Sequence, residues 1–275
     1  MELIADFGVF HLHESINVAF DSNGANAVHR LPKFSRQPPG RFIDWGFRSD
    51  VWPRVAAAIY LLATTGLSTQ IEIRLAMARG LGANPGSGSL KNLLAEYLPR
   101  IGLVSVANGL PLVRRARLNL IRLSDEGKEL ARMLETTPIE SDWERMIRLH
   151  SAEQQLRHTV AVLYFAYQAR LRGWQANVVP TLEGTTFEPD VLLLKDQDRV
   201  YVEVELGNEK LRKWRAQGKY QGFTALCALT LESRYGLVTE CKSLSLPGRA
   251  TDIDTLIKGS SQWPIGPLWA ETWIR

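Results

Sequence analysis

Three acidic residues stand where the surrounding sequence makes charge expensive. Asp190 follows Pro189 and opens the apolar run VLLL, while Glu203 and Glu205 alternate with valines in VYVEVEL. An unpaired carboxylate buried in such a run costs several kcal/mol or takes up a proton instead. Alternate residues of a strand point the same way, so Glu203 and Glu205 share one face while Val202, Val204 and Leu206 take the other. Asp190, at the start of the neighbouring strand, can reach the same point. Three convergent carboxylates make a hard oxygen site suited to Mg²⁺ or Mn²⁺. Such an ion polarises a phosphodiester and lowers the pKa of an attacking water. A plainer reading stands beside this one. Asp190 is then a turn acid, and Glu203 and Glu205 line the solvent face of an edge hairpin, paired with Arg199 or Lys195. The consecutive apolar residues of VLLL weigh against it, because they suit a strand buried on both faces.

The elements around these residues follow from pattern and punctuation. A long helix with a break near Ser151 precedes a strand in WQANVVP. EPDVLLLKD and RVYVEVELG form an antiparallel hairpin through the polar turn Asp196-Gln197-Asp198. NEKLRKWRAQGKYQGFTALCAL is expected to be largely helical, a reading weakened by Gly218 and Gly222. YGLVTECKS is expected to be a strand, TDIDTLIKG a short helix and PLWAETWIR a closing strand. His158 on the long helix either orients a site carboxylate or phosphate, or is a hydrogen-bonded core histidine. Glu183 and Glu153 are secondary candidates, better explained as a turn residue and a solvated helical residue. Trp214 is expected to pack on the helix–sheet seam.

Upstream, residues 50–135 change character. VWPRVAAAIYLLATTG reads as a helix ending at Gly66. Ser68 is expected to cap a second helix ending in Gly80 and Gly82, and Ser89 a third, LKNLLAEYLPRIG. A short strand, a turn at Asn108-Gly109, an Arg-rich strand and a helix capped by Ser124 complete the segment. Thr136 to Asp142 read as a linker, giving the expected division 1–49, 50–135 and 143–275. Residues 1–49 carry no readable function. His11 and His13 share a strand face but lack a third ligand nearby.

Two resemblances arise from these motifs. The order of three helices, a two-stranded wing and a closing helix, with GLVSVANGLPLVRRARLNLIRLSDEGKELARMLE, resembles MarR-like winged helix-turn-helix domains. It implies DNA binding, with Ser89, Lys91 and Asn92 on the third helix near bases or phosphates and Arg114, Arg115 and Arg117 on the wing against phosphates. The alternative is a winged helix used for protein contact only. The order αβββαβ over Leu149 to Ser243, with Pro189-Asp190 and Glu203-x-Glu205, resembles the PD-(D/E)XK nuclease fold. That resemblance implies Asp190, Glu203 and Glu205 as catalytic, metal-holding residues, and it departs from the motif at Glu205, where lysine is usual. Lys210, Lys213 and Lys219 are available on the next helix. The order of a winged helix followed by a nuclease-like domain is similar to the replication-relaxation family of plasmids and mobile elements, whose pattern is matched by His158, Trp174, Pro189-Asp190, Val202 to Glu205, Gly207 and Lys219-Tyr220, with Asn208 where Thr is common. That similarity selects Lys219 as the assisting ammonium.

The fold class expected is therefore α+β or α/β, a winged helix followed by a nuclease-like domain. The function implied is a DNA-binding, metal-dependent endodeoxyribonuclease cleaving or nicking DNA in mobile-element replication or relaxation. The alternative is a catalytically inactive DNA-binding regulator or replication accessory. DNA and other replication or mobile-element proteins are the implied partners, and a dimer is compatible with the sequence. Composition agrees with an ordinary globular chain: 275 residues, 45% hydrophobic, 23% charged, formal charge +4. No apolar stretch approaches the roughly 18 residues of a membrane span, and the N-terminus lacks a secretory pattern. Cys227 and Cys241 offer neither a disulfide framework nor a zinc motif. A cytoplasmic location is expected.

Overall fold

The computed structural model describes residues 31–113, 116–150 (backbone only at 150), 155–182, 184–185, 187–207, 211–260 and 265–274. The chain is an α-helical N-terminal region followed by a mixed sheet and helix region. It divides into two compact units, one comprising Val28–Leu110 and Arg117–Ile147, the other containing Arg148–Arg275.

The first unit is built on α1 (Trp52–Thr65), which is buried around almost its whole circumference and ends at Gly66 with φ 68. An all-round apolar helix belongs at the centre of its core. Around it lie α2 (Gln70–Leu81) and α3, which runs on through Gly88–Asn92, Leu93–Tyr97 and Leu98–Arg100. The middle segment of α3 is a π turn. It falls just before Pro99, which has no N–H to give the preceding turn. Strands β1 (Val104–Pro111) and β2 (Arg117–Leu123) pair as a two-stranded sheet, and α4 (Asp125–Met133) closes the core. Then comes α5 (Asp142–His150).

Three local expectations are corrected here. Thr69, not Ser68, caps α2: its hydroxyl accepts from Glu72 N at 3.2 Å and donates to Glu72 Oε2 at 2.7 Å. Ser68 instead accepts from Trp143 N at 2.7 Å. Ser89 lies inside the first turn of α3 and Ser87 holds the cap position without a side-chain cap bond. Asn108 and Gly109 lie within β1 rather than at the turn, and Gly109 N donates to the Asn119 Oδ1 side chain of β2 at 2.7 Å. Ser124 caps α4 through Gly127 N, as its position before the helix suggested.

The second unit contains a six-stranded sheet in the order β3 (Gln175–Val178), β4 (Val191–Lys195), β5 (Asp198–Glu205), β6 (Thr224–Ala228), β7 (Gly248–Asp252) and β8 (Glu271–Trp273). β4 pairs antiparallel with β3 and β5, β6 lies parallel between β5 and β7, and β8 closes antiparallel. Parallel neighbours need crossovers. These are α7 (Leu211–Gln221) and α8 (Leu231–Ser243), while α6 (Leu156–Leu171) precedes β3 and α9 (Ile253–Ser260) follows β7. The expected strand YGLVTECKS is the body of α8, capped by Thr230, whose side chain accepts from Ser233 N. The expected helical tail TALCAL holds β6. Gly222, at φ 80, ends α7 and releases the chain into that strand.

Candidate active site

β5 is paired on both sides and its alternating glutamates are buried. Glu203 is 0% exposed, Glu205 5% and Asp190 2%. The edge-hairpin reading fails on these values. Lys195 lies over the Trp174 ring and Arg199 over Tyr201, and neither reaches the glutamates.

Asp190 sits at the mouth of β4, whose first residue Val191 is in register with Val202. Its Oδ2 accepts from Val204 N at 2.7 Å, which fixes the carboxylate against the neighbouring strand. Its Oδ1 lies 2.9 Å from His158 Nε2 on α6. His158 is thus the partner that orients a site carboxylate. The lysine that reaches the glutamates is Lys213. Its Nζ is 2.8 Å from Glu205 Oε1 and 2.6 Å from Glu203 Oε2, the second an ion pair outside hydrogen-bond angles. Lys219 lies six residues further along α7, exposed.

The placement of Lys213 follows from helical spacing. Lys213, Gln217 and Gln221 recur every four residues and share one side of α7. Gln217 Nε2 donates to Tyr201 O and to Ala225 O, both at 2.9 Å, and its Oε1 accepts from Ala225 N. Gln221 accepts from Tyr201 N at 3.0 Å and donates to Tyr201 O. These amides satisfy backbone groups ahead of the point where β5 and β6 pair, from Glu203 with Leu226. Trp214, fully buried on the helix–sheet seam with its Nε1 donating to Glu240 at 3.1 Å, and Gly218 against Leu246 seat the same helix.

The electrostatics are unbalanced. Three carboxylates (Asp190, Glu203 and Glu205) meet the Lys213 ammonium and, when protonated, the His158 imidazolium. Burial pushes Asp190 upward, but the His158 hydrogen bond and charge, Lys213 and the Val204 amide together hold it below its usual value. Burial disfavours the charged His158, and Asp190 more than offsets this, so the imidazole pKa is raised. Glu203 is pushed up to about 8, by burial first and then by the Asp190 charge, with Lys213 opposing. Burial opposes the charge on Lys213, and the three acids outweigh it and raise its pKa. The consistent assignment keeps Lys213 as ammonium and leaves Glu203 as the acid that keeps its proton up to about pH 8. Glu203 Oε1 is buried with no hydrogen-bond partner among the described residues.

Among the described residues no group of three or more His, Cys, Asp and Glu side chains is arranged to hold a metal ion. The oxygens surround an ammonium instead. Their chemistry, hard acceptors with one orphaned buried oxygen, suits a divalent cation.

The remaining sequence candidates are dispersed. Ser89, Lys91 and Asn92 are exposed on the first turns of α3, and Arg117 is exposed at the start of β2. Ser89 and Asn92 border a groove shared with Arg54, Glu96 and Arg100. Arg114, Arg115, Glu153, Glu183, Lys210, His11 and His13 lie outside the described residues. No described helix is long and apolar enough to cross a membrane. No family model, curated protein or solved structure matches the chain.

Proposed function

We propose that the chain is a DNA-binding protein whose second unit is a PD-(D/E)XK-like nuclease domain acting on a phosphodiester bond. Asp190, Glu203 and Glu205 would hold Mg²⁺ or Mn²⁺, an ion that activates water and polarises phosphate when bound. The observation that carries this reading is the buried excess of acidic side chains, Asp190, Glu203 and Glu205 around one ammonium. Burying three acids around one ammonium is poor value for stability alone, and perturbed, desolvated charge clusters mark functional sites. His158 holds Asp190 in place. Lys213 takes the part first assigned to Lys219, placing a positive charge where a phosphate oxygen would develop charge. The order α1–α2–α3–β1–β2–α4 supports a winged helix, with Ser89, Lys91 and Asn92 on the exposed side of α3. A role in replication or relaxation of mobile elements remains part of the proposal.

Supercoiled and linear DNA incubated with Mg²⁺ or Mn²⁺ are expected to be nicked or cut, with loss on the order of a hundredfold or more in Asp190→Ala and Glu203→Ala. Equal cleavage by wild type and variants would sink the assignment. A second reading is favoured by one observation: the Lys213 ammonium already lies against both Glu203 and Glu205. In that case the domain is a scaffold of a DNA-binding regulator, and binding occurs without divalent-dependent cleavage. For the first unit, Arg114, Arg115 and Arg117→Ala together are expected to weaken duplex binding and flatten its salt dependence by about 3 in log–log slope. Affinity unchanged at low salt would remove the hairpin from the interface.

A further inference from the structure

The side of α7 that faces away from the sheet has no role in the site just described. It carries Arg212, Arg215 and Lys219, spaced i, i+3 and i+7, all exposed. That spacing places them in one row. None of the three makes an ion pair among the described residues, and α7 has no acid in its first turn. Three uncompensated cations in a row are an electrostatic footprint for a polyanion.

An aromatic platform adjoins the row. Tyr220 follows Lys219 and is 42% exposed, although it packs against two other rings. Its centroid is 5.2 Å from Phe187 and 5.2 Å from Tyr201. Phe187 and Tyr201 are themselves buried, in a small cluster with Leu192. Arg199 lies over Tyr201 at 5.1 Å. Tyr220 is therefore a half-exposed ring held rigid by its neighbours, and ordering it against a ligand costs little side-chain entropy. Tyr220 also sits seven residues after Lys213, on the same flank of the helix, about 10 Å along its axis. A strand resting on Tyr220 would pass toward the buried carboxylates.

We propose that the outer face of α7 with Tyr220 is a binding track for single-stranded DNA, in which Arg212, Arg215 and Lys219 follow the phosphates and Tyr220 stacks on one unpaired base. This deepens the nuclease reading, on which it rests for the choice of DNA, by naming the form of the substrate. Unpaired strand is favoured over duplex because only an unpaired base offers its face to a ring; a basic stripe alone would suit either.

The test is fluorescence anisotropy of the full chain with a labelled oligothymidylate of about 16 nucleotides, and with a duplex of equal length, in EDTA so that cutting does not intervene. Tyr220→Ala is expected to weaken oligothymidylate binding about tenfold, within the range of one stacked base, and to change duplex binding by no more than about twofold. Tyr220→Phe is expected to bind like wild type. The Arg212→Ala, Arg215→Ala, Lys219→Ala triple variant is expected to lower the log–log salt slope for the single strand by about 2. All these side chains are exposed, and circular dichroism confirms that each variant is folded. Single-strand affinity unchanged in Tyr220→Ala, or an unchanged slope in the triple variant, overturns the track. Divalent-dependent cleavage alongside that result fells the track alone. Tyr220-dependent single-strand binding in a protein that never cuts upholds the track and fells only the nuclease reading.

Discussion

Lys213→Met is expected to destabilise the second unit by about 2–3 kcal/mol, less than the full cost of breaking a buried ion pair because the Lys213 side chain is 38% exposed and partly screened by water. Methionine keeps most of the length and apolar stem, so the packing around Trp214 and Gln217 changes little. What changes is charge. Glu203 and Glu205 lose the ammonium at 2.6 and 2.8 Å, and no described cation other than His158 is close to replace it. Thermal melting near neutral pH should report the loss as a drop of about 4 °C per kcal/mol. Adding Glu203→Gln should restore part of the lost stability above about pH 8, where Glu203 is otherwise ionised, and little at neutral pH, where it already holds its proton. The two changes are in contact, so their effects should not add. Divalent cation supplies an independent readout. If the acids bind Mg²⁺ or Mn²⁺ in place of the ammonium, the ion should raise the melting temperature of Lys213→Met more than that of wild type, by the mass-action stabilisation of a ligand bound only to the folded state. A loss under about 1 kcal/mol would show that the cluster is well solvated, contrary to its burial.

The acidic half of this site is legible in the sequence and its basic half is not. Asp190, Glu203 and Glu205 announce themselves because charge inside VLLL and VYVEVEL conflicts with the apolar pattern. Lysines on a helix raise no such conflict, so a choice among Lys210, Lys213 and Lys219 depends on knowing which side of α7 faces the sheet. That side was readable in principle: Trp214, Gln217 and Gly218 are the residues a buried face would carry, and Lys213 belongs with them, whereas Lys219 aligns with Arg212 and Arg215. A motif pattern that pairs lysine with an aromatic residue points the other way. Gly222 was similarly available as the stop for α7. Without it, TALCA merges into the helix and the strand that completes the parallel part of the sheet is displaced onto YGLVTECKS. Local composition misleads there, since Tyr235, Val238 and Thr239 favour strands, yet Thr230 caps the segment and Arg234, Leu237, Val238 and Cys241 bury one helical side. The order of the sheet comes from crossovers that no local pattern encodes. In the first unit, helix ends at Gly66 and Gly82 and the Ser124 cap are legible because each is set by one residue's backbone or side chain.

Glu203→Gln is expected to trade activity for stability, with a pH dependence whose sign follows from the direction in which the Glu203 pKa moves on folding. In the unfolded chain this carboxyl ionises near its ordinary value of 4.5, whereas in the folded protein burial and Asp190 hold its proton to about 8. Between those values the folded state binds more protons than the unfolded state, so the contribution of Glu203 to stability falls as pH rises and levels off above the folded value. His158 acts in the same direction. Its pKa is raised from 6.5, so its contribution is full below 6.5 and is lost as pH rises through the folded value. Asp190 acts oppositely, contributing above 3.8 and losing that contribution as pH falls through its lowered folded value. Glutamine has no proton to lose. Compared with wild type in metal-free buffer, Glu203→Gln should melt at nearly the same temperature at acid pH, where Glu203 is already neutral. At about pH 9 it should be more stable by on the order of 2–4 kcal/mol, since each pH unit between the unfolded and folded ionisation of Glu203 is worth about 1.4 kcal/mol, discounted for the share that Lys213 returns. Cleavage should be lost at every pH. Melting curves of both proteins across that range decide the matter, and a variant that is less stable than wild type at high pH would mean that the Glu203 carboxylate is better compensated than its orphaned oxygen implies. A gain in stability joined to loss of cleavage is what a functional charge predicts, because an acid kept only for the fold should not be improved by removing its charge.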